Sequence, residues 1–454
     1  MSIAAEGSTA LGSRDVAVRR PRVLATLGLV TAAWLPLFQG VSRVMSLRGS
    51  AGVAHLLVQY SKDVALGVLI IVATLLFASG AQRPRRAFWP LIVAGAGLTI
   101  YLLSLFVADG ASLSSLYAIR VYGEPVLGGV ALGVLVQRGG RRDALPGVLA
   151  IISVAVVVIG VLQVMFPLAP LTAAVRENML DESGSLPGVL VTSGDALRAF
   201  STLDVPNDLG FFAVLAALAS YAPSPLLDRH PSLRWLTRGL AVVAVTISYS
   251  RSALLAAITG GATLGLTYVL WDKRANSALV LRRVMIGLAL GLVALPVLWA
   301  KHDDIAAVQN IVDAVTGADA SARAHSQSLY EGLHRAIEAP AGIGLGRVGS
   351  RAGLYGTQQR VFTVESAYLL IALEMGWPGL AIALLVIFTA IGGALAVGGD
   401  RSAEPRERQW ARVAAAIIIA QVTVFIFLPT TETLETGVLT WANLGIVLCR
   451  PSPA

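Results

Sequence analysis

Blocks of apolar residues, each close to 20 positions long, alternate with short polar segments along most of the chain. A helix of about 20 residues crosses the roughly 30 Å hydrocarbon core of a bilayer, so this spacing predicts membrane-spanning α-helices. A membrane β-barrel would instead show short segments of alternating polarity. We predict an all-α polytopic membrane protein with about twelve transmembrane helices, at 23–40, 63–80, 88–108, 118–137, 144–166, 208–222, 236–250, 252–271, 284–300, 365–395, 412–429 and 434–449.

Two polar segments, 167–207 and 301–363, are much longer than the others. Both mix polar and apolar residues, which favours folded caps with short helices over linkers, because long loops in compact proteins tend to be functional or disordered. The domain organisation that follows is an N-terminal tail over 1–22 and a single integral membrane domain over 23–450.

The distribution of charge predicts the orientation of the helices. The chain has 35 Lys and Arg residues against 27 Asp and Glu, and most of the basic residues lie in the short segments on one side. By the positive-inside rule that side is cytoplasmic, which places both termini in the cytoplasm and both long loops outside the cytoplasmic membrane. The net charge of +8 is thereby explained without a nucleic-acid partner. The single cysteine, Cys449, excludes an intramolecular disulfide and a Cys-based metal cluster.

Several polar residues lie where helices begin near the outer side. Arg198 precedes the sixth predicted span, a position suited to phosphate binding because helix amides and the helix dipole are near. Asn207 or Asp208 is expected to cap that helix. Arg251 lies between two spans with almost no loop, and there it either reaches the lipid headgroups or faces inward to bind an anion. Arg120 and Glu124 are spaced to pair on one helix face.

The long loop 301–363 and the helix after it hold further candidates. Apolar residues at helical spacing after His325 predict an amphipathic helix that stops at Pro340. Glu365 opens the next span, and the deeper Glu374 is expected to be paired, to be protonated or to line a polar cavity. The glycines that follow Pro340 favour close backbone packing, since no strand precedes them as a dinucleotide-binding motif requires. A metal site is not expected, because the spacing of His325, Glu331 and His334 does not match a helical two-His site.

Taken in order, these motifs resemble the O-antigen ligase/O-antigen polymerase superfamily of bacterial envelope glycosyltransferases. The resemblance rests on Arg-x-Phe…Pro-Asn at 198–207, Ser-Arg at 250–251, the histidine at 325, Pro-x-Gly-x-Gly-x-Gly at 340–346, and Glu-Ser-x-Tyr-Leu…Glu-x-Gly-x-x-Gly-Leu at 365–380. Each motif alone is weak, whereas their order and spacing together are specific. They cover about 195–385, and the topology covers nearly the whole chain.

The resemblance implies glycosyl transfer at the outer face of the cytoplasmic membrane, from undecaprenyl-pyrophosphate-linked sugar to an acceptor. For a polymerase the acceptor is another lipid-linked repeat, and for a ligase it is a lipid or cell-wall anchor. The reaction is implied to be inverting, metal-independent and without a cofactor. Membrane lipid is the setting, with a chain-length regulator or a flippase as further partners. The implied substrate-binding residues are Arg198, Arg251 and Arg120 for pyrophosphate, with Asn207 and Tyr368 for other parts of the substrate.

One departure from the family pattern leaves the catalytic base open. Many members have His-Asn where Glu365-Ser366 stands and Arg where His325 stands, whereas a branch with the His…Glu-Ser combination is found mostly in exopolysaccharide-type proteins. The base is therefore either Glu365 or His325. We predict a polymerase of surface polysaccharide, with a ligase as the alternative within the same chemistry. A secondary transporter is the alternative of another class, although transporters usually place ionisable residues near the bilayer midplane.

Overall fold

The computed structural model describes residues 9–47, 53–80, 82–166, 198–203, 205–271, 320–349, 364–428 and 434–449. Within these ranges the regular secondary structure is helical, apart from one isolated β-bridge between Pro84 and Cys449. The predicted all-α class is confirmed.

The helices of the described residues are named here in chain order. They are α1 (Thr9–Leu47), α2 (Val53–Ala78), α3 (Trp89–Ala108), α4 (Leu113–Arg138), α5 (Leu145–Met165), α6 (Pro206–Ala219), α7 (Pro225–Arg229), α8 (Pro231–Ser248), α9 (Arg251–Trp271), α10 (Ala320–Glu338), α11 (Ala367–Gly399), α12 (Pro405–Phe427) and α13 (Leu434–Leu448). Eight of them, α1 to α5, α9, α11 and α12, are long and apolar enough to cross a membrane.

The other predicted spans correspond to shorter or more polar helices. The spans at 208–222 and 434–449 correspond to the short apolar helices α6 and α13. The span at 236–250 corresponds to α8, which has 18 residues. The span at 284–300 and most of the loop 167–207 lie outside the described residues. The amphipathic helix predicted after His325 is confirmed as α10, which ends at Glu338.

The ends of the membrane-crossing helices gather at two ends of a bundle. We call the end that holds Ser248 and Phe427 the upper end, and the end that holds Asp143 and Glu407 the lower end. At the lower end, Arg85 Nη2 lies 2.8 Å from Glu407 Oε1. Nearby, the indole nitrogen of Trp410 donates to Asp143 Oδ1 over 3.1 Å. These contacts join the segments that precede α3 and α5 to the beginning of α12.

Helices α4 and α13 form the closest helix pair of the bundle, and small residues allow their close approach. A Cβ added at Gly129 of α4 would lie 2.4 Å from the carbonyl oxygen of Val438 in α13. One added at Gly133 would lie 2.1 Å from the carbonyl oxygen of Ala442. Because lipid tails remove most of the hydrophobic driving force between helices, such close backbone contact is a main source of their association.

Helix α11 is interrupted at Gly376, which has φ 69° and ψ 177°. The turn that follows α10 fits into this interruption. There the Ile343 amide donates to the Leu373 carbonyl over 2.7 Å, and the Trp377 amide donates to the Pro340 carbonyl over 3.0 Å. These two bonds satisfy backbone groups that the break takes from the helix. The close-packing role predicted for the glycines after Pro340 is therefore confirmed.

We predict that Gly342→Ala destabilises the protein by about 1–3 kcal/mol. Gly342 has φ +86°, and an added Cβ would lie 2.6 Å from the Gly376 amide nitrogen. Thermal unfolding of the purified protein in detergent measures the change. Gly97→Ala in α3 is the matched control, because nothing lies within 4 Å of its added Cβ. An unchanged melting temperature in Gly342→Ala would contradict the tight fit of this turn.

Glu374 lies just before the interruption and links three parts of the fold. Its Oε2 accepts a hydrogen bond of 2.7 Å from the Tyr122 hydroxyl of α4. Its Oε1 accepts one of 3.3 Å from the Val348 amide of the turn. The indole of Trp377 donates to the Ala336 carbonyl near the end of α10 over 3.0 Å. The buried Glu374 is thus paired, as predicted, and α10 is held in a fixed position against α11.

Candidate active site

His325 and Glu365, the two predicted candidates for the base, are in direct contact. His325 Nδ1 of α10 lies 2.5 Å from Glu365 Oε2, just before α11 begins. The Glu365 amide also donates to Ser328 Oγ over 3.2 Å. Ser328 is three residues after His325 and therefore lies on the same helix face. One face of α10 thus holds both the backbone and the side chain of Glu365.

Apolar residues at the upper end of α12 pack beside the His325–Glu365 pair. The ring of Phe427 lies 6.0 Å from the His325 ring between centroids. Tyr368, the second residue of α11, donates its hydroxyl to the Val422 carbonyl over 3.0 Å and packs edge-on against Phe425. Tyr368 therefore fixes α11 against α12 directly below Glu365, and its predicted contact with substrate stays a prediction.

The two members of the pair differ in their access to solvent. The Glu365 side chain is 50% exposed, whereas that of His325 is 20% exposed. The other ring nitrogen of His325, Nε2, is buried and has no hydrogen-bond partner in the described part of the chain. The carboxylate is therefore the accessible group of the pair, and the imidazole lies behind it.

Arg198 is held by two loops at the upper end. Its Nε donates to the Ser248 carbonyl over 3.0 Å, and its Nη2 donates to Asn207 Oδ1 over 2.9 Å. Helix α6 begins at Pro206 after Val205 and has no side-chain cap. The expectation that Asn207 or Asp208 caps this helix is therefore wrong. Proline has no amide hydrogen to satisfy, and the Asn207 side chain binds the guanidinium instead.

The segment after Arg198 lies below the upper end of α5. Ser201 is held there by Gln163, which binds its amide over 2.7 Å and its carbonyl over 3.0 Å, and by the carbonyl of Val156. Val156 is nine residues before the end of α5, a distance of about 13 Å along a helix. Non-helical backbone at such depth is tolerated only inside protein or beside a water-filled cavity. The segment from Ala199 to Leu203 is almost completely buried, which meets this condition.

Arg251 begins α9 beside the same segment. The junction between α8 and α9 is two residues long, and Tyr249 makes the turn with φ 50°. The Ala199 amide donates to the Ile247 carbonyl over 2.9 Å, just before this junction. Because Arg198 binds Ser248 and Arg251 follows three residues later, the fold gathers both arginines and Asn207 in one region.

The arginine region and the His325–Glu365 pair lie at the same end of the bundle. Helices α9 and α12 pack against each other, with Thr423 Oγ1 3.0 Å from Thr259 Oγ1. Arg251 is eight residues, or about 12 Å, above Thr259, and Phe427 is four residues, or about 6 Å, above Thr423. Arg251 and Phe427, whose ring lies beside His325, therefore differ by only about 6 Å in height.

Arg120 is in a different environment from the other two arginines. Its Nε lies 2.9 Å from Glu124 Oε2, as the spacing predicted, and its Nη2 lies 2.5 Å from Asp63 Oδ1 of α2. Lys62 Nζ lies 2.7 Å from the same Asp63 oxygen. The geometry favours the structural pair, because two carboxylates already compensate this guanidinium. Its predicted role in pyrophosphate binding stays a prediction.

The residues considered for a metal site have separate partners. His334 Nδ1 lies 3.2 Å from Glu338 Oε1, and Gln327 donates to Glu331 over 2.8 Å. These contacts keep His334 and Glu331 apart from the His325–Glu365 pair. Among the described residues, no group of three His, Cys, Asp or Glu side chains is arranged to hold a metal ion.

Sequence reasoning missed three residues of this region. Ser328 lies one turn after His325, and that spacing is a usable signal for a shared face. Asp63 follows Lys62 in an apolar helix, and two charged residues in such a helix are themselves a signal of a polar site in the membrane. Gln163 gave no signal, because nothing in its sequence context indicates a partner 38 residues away.

The fold is that of a polytopic α-helical membrane protein, and the His325–Glu365 pair and two arginines, Arg198 and Arg251, lie at one end of it. Residues 237–384, about a third of the chain, match the model of a family described as O-antigen ligase. This match supports the O-antigen ligase/polymerase superfamily and confirms the resemblance found from the motifs. The matched segment includes Arg251, His325 and Glu365. No curated protein matches the chain. The family implies a lipid-linked glycan substrate and a bacterial inner-membrane setting.

Proposed function

We propose that this protein is a polymerase of surface polysaccharide that joins oligosaccharide repeats carried on undecaprenyl pyrophosphate. The observation that carries the proposal is the 2.5 Å contact between His325 Nδ1 and Glu365 Oε2, inside the segment that matches the family. A transporter has no evident need for such a pair at the rim of the bundle. A glycosyltransferase needs it to remove a proton from the acceptor hydroxyl.

Glu365 is the base in this proposal, and His325 is the residue that positions it. The half-exposed carboxylate is accessible to an acceptor, whereas the imidazole lies behind it and holds one of its oxygens. Glu365 takes the proton of the acceptor hydroxyl as the hydroxyl oxygen attacks C1 of the donor sugar. The bond from C1 to the phosphate oxygen breaks, undecaprenyl pyrophosphate leaves, and the configuration at C1 inverts. The exposed carboxyl then releases its proton to solvent.

Arg198 and Arg251 stabilise the charge that develops on the leaving pyrophosphate. Fixed guanidinium groups do this well, since their planar fork matches phosphate oxygens and stays charged. The depth of the segment 198–203 suits a lipid-linked substrate, because a pyrophosphate on a membrane-embedded tail enters from the lipid phase. The proposed chemistry needs no metal ion, since these arginines supply the positive charge.

The orientation of the bundle follows from the same proposal. The lower end carries the arginines of the short connections, including Arg85, Arg142 and Arg406, and is assigned to the cytoplasm. The upper end, with His325 and Glu365, then faces the outside. Glycan repeats are consumed there after their lipid carrier has been flipped.

Transfer by the purified protein tests the function directly. With lipid-linked repeats alone in proteoliposomes, we expect a ladder of products that differ by one repeat. The ligase alternative predicts no ladder, and instead transfer of a preformed chain to an added anchor. In cells without the protein, single repeats on an anchor indicate a lost polymerase, and finished polymer left on the carrier indicates a lost ligase. Absence of both activities, with substrate uptake into the vesicles, would favour the transporter and overturn the proposal.

A further inference from the structure

A second site lies at the lower end of the bundle, around Arg238 of α8. The guanidinium carbon of Arg238 lies 3.6 Å from the centroid of the Tyr221 ring and 5.1 Å from that of Trp235. Its Nε donates to Ser220 Oγ over 3.0 Å. The side chain is thus held between the end of α6 and α8, with its flat face on an aromatic ring.

Arg238 differs from three other arginines of this end, Arg85, Arg234 and Arg142, in its partners. Arg85 pairs with Glu407, and Arg234 pairs with Asp228 at 2.6 Å. Arg142 pairs with Asp143. Within the described part of the chain, Arg238 is partly buried and has no carboxylate partner. A partly buried cation without an anion is costly, so the terminal nitrogens of this guanidinium are suited to bind an external anion.

The surroundings of Arg238 are open and apolar. Trp235 is 68% exposed and Leu236 is 47% exposed on the same helix. A Cβ added at the neighbouring Gly239 would meet no atom within 4 Å. Exposed tryptophan and leucine beside arginine are typical of the membrane interface, where lipid headgroups and acyl chains meet. These surroundings favour an anion attached to a lipid over one free in water.

We propose that Arg238 and Tyr221 form a binding site for the phosphate of an anionic phospholipid in the leaflet at the lower end. The guanidinium face stacks on the ring while its edge donates to two phosphate oxygens, an arrangement that lysine does not reproduce. Arg234, one helical turn away, is already paired with Asp228 and is not part of the site. The site is separate from the candidate active site, since Arg238 lies ten residues, or about 15 Å, below Ser248 along α8.

Native mass spectrometry of the protein released from nanodiscs tests the proposal. We expect the wild type to retain phosphatidylglycerol and to lose phosphatidylcholine, and Arg238→Gln to reduce retained phosphatidylglycerol about tenfold. Arg229→Gln is the matched control, since it removes the same charge from an exposed position at the same end. Tyr221→Leu is expected to weaken retention, and Tyr221→Phe to preserve it because the ring remains.

Three outcomes would overturn the site. One is equal loss of lipid in Arg238→Gln and Arg229→Gln, which indicates only a general effect of charge. Another is equal retention of the two lipids. The third is full displacement of the lipid by millimolar inorganic phosphate, which indicates a site for the free anion. Arg238→Lys guards against misfolding of the Gln variant, and we expect it to retain less lipid than the wild type. Retention is measured without turnover, so the result is independent of the proposed function.

Discussion

Replacement of Glu365 by Gln is expected to reduce polymer formation at least about a hundredfold, the usual contribution of general-base catalysis. The amide keeps the size of the side chain and an oxygen that accepts a hydrogen bond, but it does not accept the proton of the acceptor hydroxyl. The measurement is the initial rate of chain extension in proteoliposomes, with the melting temperature recorded for each variant. We expect the melting temperature to change little, because half of the Glu365 side chain is exposed.

The roles of Glu365 and His325 are separated by the matching changes at both residues. His325→Gln is expected to reduce the rate less than Glu365→Gln, because it removes a positioning contact and not the base. The double variant is then no slower than Glu365→Gln alone, since residues that act as a unit are not additive. The pair of His334 and Glu338 on the same helix supplies the control, and His334→Gln and Glu338→Gln are expected to act like the wild type.

The opposite pattern would reverse the assignment. If Glu365→Gln is active while His325→Gln is inactive, the imidazole is the base and the carboxylate orients it. The pH dependence of the rate provides a second readout, because loss of the base removes a titration from the profile, whereas loss of a positioning residue shifts it. Full activity of both variants would refute catalysis by this pair.

Local patterns predicted the helices well because each span is determined by its own residues. The amphipathic repeat around Leu329 and Leu333 is complete within a few turns, so α10 follows from the sequence alone. The interruption of α11 falls at Met375-Gly-Trp-Pro-Gly, where glycine and proline both disfavour a continuous helix. What fills the interruption was not visible, because the partner turn lies more than 30 residues earlier and its fit depends on tertiary packing.

The site was predicted as a set of residues and not as an arrangement. His325 and Glu365 are 40 residues apart, and only the packing of α10 on α11 brings them together. The cap expected at α6 failed for a related reason. Local rules assign the Asn207 side chain to the nearest amides, whereas in the fold a stronger partner, the charged guanidinium of Arg198, is within reach. Contacts that depend on the tertiary fold override local preferences and are not encoded in spacing.

Replacement of Arg198 or Arg251, the arginines proposed to bind pyrophosphate, is expected to reduce chain extension by about a hundredfold to a thousandfold. Loss of one hydrogen bond to a transition state has an effect of this size in other enzymes. The variants are Arg198→Gln and Arg251→Gln, each compared with its Lys counterpart. Lysine keeps the charge but loses the fork, so we expect it to recover only part of the rate. Arg347→Gln is the control, because Arg347 is a half-exposed arginine of the upper end that lies 3.7 Å from Asp109.

Separate measurement of kcat and KM distinguishes a catalytic role of these arginines from a structural one. The charge on pyrophosphate grows as its bond to the sugar breaks, so the loss is expected mainly in kcat, with a smaller change in KM. Arg198 also binds the Ser248 carbonyl, so part of any effect is structural, and it would appear as a lower melting temperature. Asn207→Ala removes one contact of Arg198 and keeps its charge, and we expect it to be only mildly impaired. Normal polymer from both Gln variants, with normal insertion into the membrane, would refute pyrophosphate binding at this position and leave the recessed segment without its proposed role.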